Sequence, residues 1–189
     1  SVGAHPATPP QPPAAPGSLF GRPPLPLTEA ARKAVDAFNP AVETTTPGCT
    51  PKGMPQIMSQ PMPIEFVDEG HAVLLRLEEY DTVRTIHMVD VAPPEPGTSS
   101  VLGHSRGHWE GKTLVVDTTG LRSQFVAQRG HPIGPAAQLR ERFTVSADGS
   151  RLNYELTVTD PDHYTRPFDV RPSWVWRPGG RVVPFNCAL

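Results

Sequence analysis

Two stretches carry the side chains best suited to chemistry: "GHSRGHWEG" at 103–111 and "LRERF" at 139–143. In the first, His104, Arg106, His108 and Glu110 alternate with Ser105, Gly107 and Trp109. Imidazoles exchange protons near neutral pH, guanidinium groups hold anions, and carboxylates act as general acids or bases. On a helix, two histidines at i and i+4 would suit zinc. Two glycines and the following apolar run "TLVVDTT" point instead to a strand. His104 and His108 then share a face but stand about 13 Å apart at roughly 3.3 Å per residue. One metal cannot bridge that span unless the strand breaks, so a metal site would need histidines converging from different strands; the leading expectation is a site without metal or cofactor. His104 is the histidine to orient a substrate or relay a proton. Trp109 reads as a filler for one end of the core, or as a stacking platform for a ligand.

Glu141 raises a sharper question. Alternation along 139–145 puts Leu139, Glu141, Phe143 and Val145 on one face, and Arg140, Arg142 and Thr144 on the other. The partner segment turns Leu152, Tyr154, Leu156, Val158 and Asp160 inward. A carboxylate on an apolar face must be compensated. Arg84 is a candidate, since Arg84, Ile86 and Met88 form the better core face of 83–89; Tyr154 and a histidine are others. Glu141 then reads either as an acid or base tuned by burial or as half of a structural Glu–Arg pair.

Two loops add candidates. "GHPIG" places His131 in a long connection, where it could close over a barrel mouth. "DPDHYTRP" brings Tyr164 and Arg166 close to Asp160, as a structural cluster or as a clamp for an anionic ligand.

These residues need strands to position them. From Ile64 onward the chain alternates in short apolar runs: "IEFVD", "HAVLLRLEE", "VRTIHMV", "GHSRGHW", "TLVVDTT", "QLRERFTVS", "RLNYELTVTD", "HYTRPFDVR", "SWVWR" and "RVVPFNC". Turn formers separate them, Asp148-Gly149 being the strongest hairpin signal. About eight to nine sequential antiparallel strands favour an all-β up-and-down, lipocalin-like barrel or a strongly curved meander, with a two-sheet sandwich as the alternative. Thr28 caps one helix over 28–39, with Ala31, Ala34, Val35 and Phe38 on one face and Asn39-Pro40 at its end. Residues 1–27 hold nine prolines and read as an extended arm. Residues 28–189 read as a single β domain.

Composition narrows the partners. The 189-residue chain has 25 prolines, a formal net charge of −2 and no basic cluster, which argues against nucleic acid as a main partner. No apolar stretch reaches the roughly 20 residues of a membrane helix. Cys49 and Cys187 bracket the β region and read as a disulfide, hence a secreted or periplasmic compartment with a signal peptide already removed.

The motifs "CTPKGMP" (49–55), "RTIHM" (84–88), "GHSRGHWEGKTLVVDTTG" (103–120), "LRERF" (139–143) and "DPDHYTRPF" (160–168) resemble a family of small secreted bacterial β-rich proteins of largely uncharacterised function. Lys112 stands where such proteins typically carry aspartate. The resemblance implies an extracytoplasmic β domain.

The expectation from all of this is an internal pocket for a small, partly apolar molecule, with cofactor-independent acid/base chemistry of a lyase, isomerase, cyclase or hydrolase type. Glu141 would move the proton, and Arg84 and Arg166 would hold an anionic group. Tyr154, Tyr164 and His104 would orient or relay. The alternatives are a non-catalytic small-molecule binder and a structural or assembly module whose barrel is filled with side chains.

Overall fold

The computed structural model describes residues 24–40, 43, 48–92, 100–127 and 129–187. Most of the proline-rich arm and part of the 91–100 loop lie outside the described residues.

The helix α1 (Glu29–Ala37) begins where Thr28 accepts the Ala31 amide at 3.2 Å, the side-chain cap its sequence signals. Its buried face is narrower than expected: Ala31 is buried, Val35 and Phe38 half-buried, and Ala34 exposed.

Eleven strands follow among the described residues: β1 (Ile64–Asp68), β2 (Ala72–Leu77), β3 (Thr82–His87), β4 (His104–Glu110), β5 (Thr113–Thr119), β6 (Phe125–Ala127), β7 (His131–Pro132), β8 (Gln138–Val145), β9 (Arg151–Thr159), β10 (Phe168–Val170) and β11 (Ser173–Val175). Nine form one sheet in the order β1-β2-β3-β4-β5-β8-β9-β10, with β11 pairing with β9. The sheet curls into a half-barrel, the strongly curved meander that the strand count favours. Phe66 of β1 reaches Phe143 of β8 with ring centroids 5.2 Å apart.

Four details depart from the sequence reading. The sheet is mixed: β3 and β4 run parallel, joined by only two residue pairs, Ile86↔Ser105 and His87↔Arg106. The connection between them is therefore a crossover, for which its length suffices. The 120–137 connection holds the small hairpin β6–β7, so His131 lies on a strand. "HYTRPFDVR" shortens to β10, because Tyr164 belongs to a turn hydrogen-bonded back to Asp160. Residues 181–187 form no strand but a strap along the β2–β3 turn, where Phe185 donates to Asp81 and Val183 to Glu78.

Alternation makes the inner face apolar. Leu75, Ile86, Leu114, Val116, Leu139, Phe143, Leu156 and Val158 are buried there, and Met54, Ile57 and Leu121 from the connections and Val126 from β6 join the same core. Gly107 permits the closest approach on this face: a Cβ there would meet Ile86 Cγ2 and Met88 Sδ at 2.7 Å. The outer face is laced with ion pairs, among them Arg142–Glu110, Arg140–Asp117 and Arg171–Glu155.

Candidate functional site

Five strands each turn one polar side chain into the apolar interior: Arg84 from β3, Ser105 from β4, Thr118 from β5, Glu141 from β8 and Tyr154 from β9. All five are essentially without solvent contact. Each position follows from the two-residue period of its strand, so the row is a product of register.

Glu141 is satisfied from three sides. Arg84 Nη1 donates to Oε1 at 2.9 Å, and Arg84 Nη2 donates to Oε2. The Tyr154 hydroxyl donates to Oε1 at 2.7 Å, and Thr118 donates to Oε2 at 3.4 Å. Arg84 Nε and Nη2 also reach Ser105 Oγ at 3.0 and 2.9 Å, and Nη2 reaches Thr118 Oγ1 at 2.7 Å. Burial alone would lower the Arg84 pKa, but the Glu141 carboxylate outweighs it and holds the guanidinium above its ordinary value. Burial, reinforced by Glu141, holds the Tyr154 phenol well above its ordinary value. A bidentate pair with every acceptor engaged is the arrangement a buried charge needs. In this geometry the carboxylate has no open side for a substrate.

The other sequence candidates lie elsewhere. His104 faces outward, its ring stacked on His87 at 5.1 Å, and its Nε2 is buried without a hydrogen-bond partner. His131 is half-buried on β7, with Nδ1 likewise unpartnered; burial and the nearby Arg129 push its pKa down. Tyr164 is buried, and its hydroxyl donates to the Pro132 carbonyl at 2.8 Å. Arg166 is exposed and donates to the adjacent Pro167 carbonyl at 3.4 Å. The Asp160 carboxylate meets neither of these side chains, although the Tyr164 amide donates to the Asp160 carbonyl at 2.9 Å. Its Oδ2 accepts the Gly134 amide at 2.8 Å and His163 Nδ1 at 2.9 Å, while Oδ1 accepts the Asp162 amide at 3.2 Å. Trp109 lies on the inward row of β4 but is 59% exposed rather than enclosed. Cys49 and Cys187 form a disulfide with Cα atoms 6.0 Å apart, as their positions suggest.

Two groups escaped the sequence reading. His163 pairs with Asp160 across a turn, a contact that the spacing D-P-D-H signals only once a turn is assumed. Lys52 is buried in an ion pair with Glu79, with its ammonium 5.9 Å from the Tyr80 ring. Beside them Tyr80 and Asp81 both hold positive φ, 54° and 50°, a conformation that non-glycine residues adopt at some cost. The disulfide and the C-terminal strap secure this same end of the molecule.

The inner face opens at one end. Trp109 lies level with Phe143 and Tyr154, and one inward step further along the strands come Val145, Leu152 and Trp174; the Trp174 ring meets Tyr154 edge-on at 5.5 Å. Val145 is 60% exposed, and Trp176, just past β11, is 67% exposed. On the outer face a cleft of about 470 Å³ is lined by His87, Asp90, Arg106, His108 and Asp117, with Met88 and Val89. Among the described residues no three histidine, cysteine or acidic side chains converge to hold a metal, and no helix is long and apolar enough to cross a membrane.

Comparisons with protein-family models, with characterised proteins and with solved structures find no match.

Proposed function

We propose that this chain is a non-catalytic binding module of an extracytoplasmic compartment, taking a small, partly apolar molecule at the aromatic end of its half-barrel. The observation that carries this reading is the exposure of Trp109 and Val145 on strand rows that are otherwise buried. Large apolar side chains clustered in the open mark a binding surface more often than a solvated one. Further along the same face Tyr154 and Trp174 add two rings in edge-on contact at 5.5 Å. The disulfide supports the compartment, because such bonds persist where the environment is oxidising.

The buried row serves this reading as scaffold. Acid/base chemistry at Glu141 is the second reading, and the Tyr154 hydroxyl favours it by linking the aromatic end to the carboxylate at 2.7 Å. It requires Arg84 and Tyr154 to release the carboxylate when a substrate enters.

The test uses 1-anilinonaphthalene-8-sulfonate, a partly apolar anion, titrated into the protein while its fluorescence is followed. Saturable binding that weakens at least tenfold in Trp109→Ala and in Trp174→Ala supports the proposal. Binding absent, or unchanged in both variants, overturns it. Loss of turnover in Glu141→Gln, on any substrate identified by screening small molecules that co-purify, would move the assignment to the second reading.

A further inference from the structure

The sheet has one seam unlike the others. Among the described strands β3 and β4 make the only parallel pairing, and two residue pairs hold it, against eight for β8–β9 and seven for β4–β5. On the inner side Arg84 bridges the seam by donating twice to Ser105. On the outer side the bridge is His87 stacked on His104, with rings 5.1 Å apart and 28° from parallel.

We propose that His87 and His104 form an acid-sensitive latch across this seam. When both imidazoles are neutral, they stack and exclude water from the strand junction. When both are protonated, two cations face each other across the weakest pairing in the sheet. Among the described residues no acceptor faces His104 Nε2 to take a hydrogen bond from an N–H there.

The surrounding charges decide whether that repulsion is relieved. From the β1–β2 turn comes His71, a third group that becomes cationic in acid. From β4 come Arg106, already cationic, and His108, paired with Glu110. The acids near the seam are committed: Asp90 to Arg106, and Asp117 of β5 to Arg140. Arg84 lies beneath and is held by Glu141. Acidification therefore adds positive charge beside Asp90 and Asp117, the described carboxylates of the outer cleft, which already have cationic partners. Burial, then His104 and His71, already hold the His87 pKa below its ordinary value, the direction this crowding requires.

The result is a local loosening of the Ile86↔Ser105 and His87↔Arg106 pairing on the outer side, while Arg84 keeps its hold on Glu141 and the antiparallel ladders on either side persist. The outer cleft, whose walls include His87 on one strand and Arg106, Gly107 and His108 on the other, changes shape with it. In an extracytoplasmic setting this ties the shape of the cleft to external pH.

Hydrogen exchange read as protection factors at pH 7.5 and pH 5.0 tests the latch. The expected result is at least a tenfold loss of protection at the Thr85–His87 and Ser105–Arg106 amides in acid, with the β8–β9 amides changing less than twofold. His87→Gln, and separately His104→Gln, should keep the seam protected at pH 5.0; the second variant serves if the first does not fold. Equal loss in β8–β9, no loss at the seam, or undiminished loss in a folded glutamine variant would overturn the proposal.

Discussion

Arg84 on β3 and Glu141 on β8, 57 residues apart in sequence, meet across the inner face in a two-point contact that no solvent reaches. Two further strands separate them in the sheet, and each adds a hydroxyl, from Ser105 and from Thr118. The pair is thus both the most strongly bonded and the least accessible charge in the described structure.

Removing one partner strands the other. Arg84→Met or Glu141→Leu alone should cost about 3–5 kcal/mol, the usual penalty for an orphaned buried charge. The double variant should recover a large part of that loss, because no charge is left behind. Urea unfolding of the four proteins closes the cycle; additive losses would mean that the two groups are not coupled.

Tyr154→Phe separates ring from hydroxyl. The ring contacts with Phe143 and Trp174 stay, and Glu141 loses one donor. A loss of about 1–3 kcal/mol is expected from the unmade hydrogen bond. Near-UV circular dichroism should change little, since the aromatic packing is kept.

Acid should destabilise the fold from the histidine range downward. His87 and His131 are held below their ordinary value, mainly by burial. The folded state therefore takes up these protons less readily than the unfolded chain. Their stabilising contribution is full above the unfolded value, near 6.5, and is lost as pH falls from there through the depressed folded values. Thermal midpoints should be flat from pH 8 to 7 and decline below about 6.5. His131→Gln should reduce the decline without abolishing it.

Reduction of Cys49–Cys187 opens a loop whose ends are 138 residues apart in sequence. Chain entropy sets the loss at up to about 5 kcal/mol. Reductant should lower the melting temperature and release the strap, so limited proteolysis should begin near residues 181–187. A Cys49→Ser variant should match the reduced protein.

Asp160→Ala should loosen one loop and leave the sheet intact. It removes three acceptor contacts, to Gly134, Asp162 and His163. About 1–3 kcal/mol is expected for the groups left unpaired. The Gly134 amide should exchange faster, while the β8–β9 amides keep their protection.

Alternation, with side-chain size deciding between the two faces of 83–89, located three of the five polar groups, Arg84, Glu141 and Tyr154; Ser105 and Thr118 emerged only from the structure. Alternation put Arg84, Ile86 and Met88 on the core face of 83–89, and Glu141 among Leu139 and Phe143, because the two-residue period leaves only two choices per strand. It also named Arg84 and Tyr154 as candidate partners of Glu141, since few other polar groups pointed inward. Strand direction was not legible. A connection across 91–100 rich in proline and glycine serves a hairpin or a crossover equally well, so the parallel β3–β4 junction emerges only from long-range pairing. Lys52 was invisible for a related reason: a lysine in a loop normally reaches water, and its burial goes with an ion pair to Glu79 and a ring contact with Tyr80, which itself packs on Phe185 of the strap. Trp109 misled because inward orientation does not ensure cover; nothing in its own strand reports where the opposite wall of the half-barrel stops.

The diagonal placement of the five polar groups makes strand pairing self-checking. Because sheet faces alternate, a slip of one position between β5 and β8 would turn Arg140 and Arg142 into the hydrocarbon and send Glu141 to water. A slip of two would restore the faces but shift Glu141 a full repeat from its present place opposite Val116, so that its two-point contact with Arg84 is lost inside the core. Purely greasy strands would tolerate the second error at modest loss. Here the wrong alignment is penalised about as heavily as an unpaired interior ion, so the correct ladder is selected over its nearest competitors during assembly.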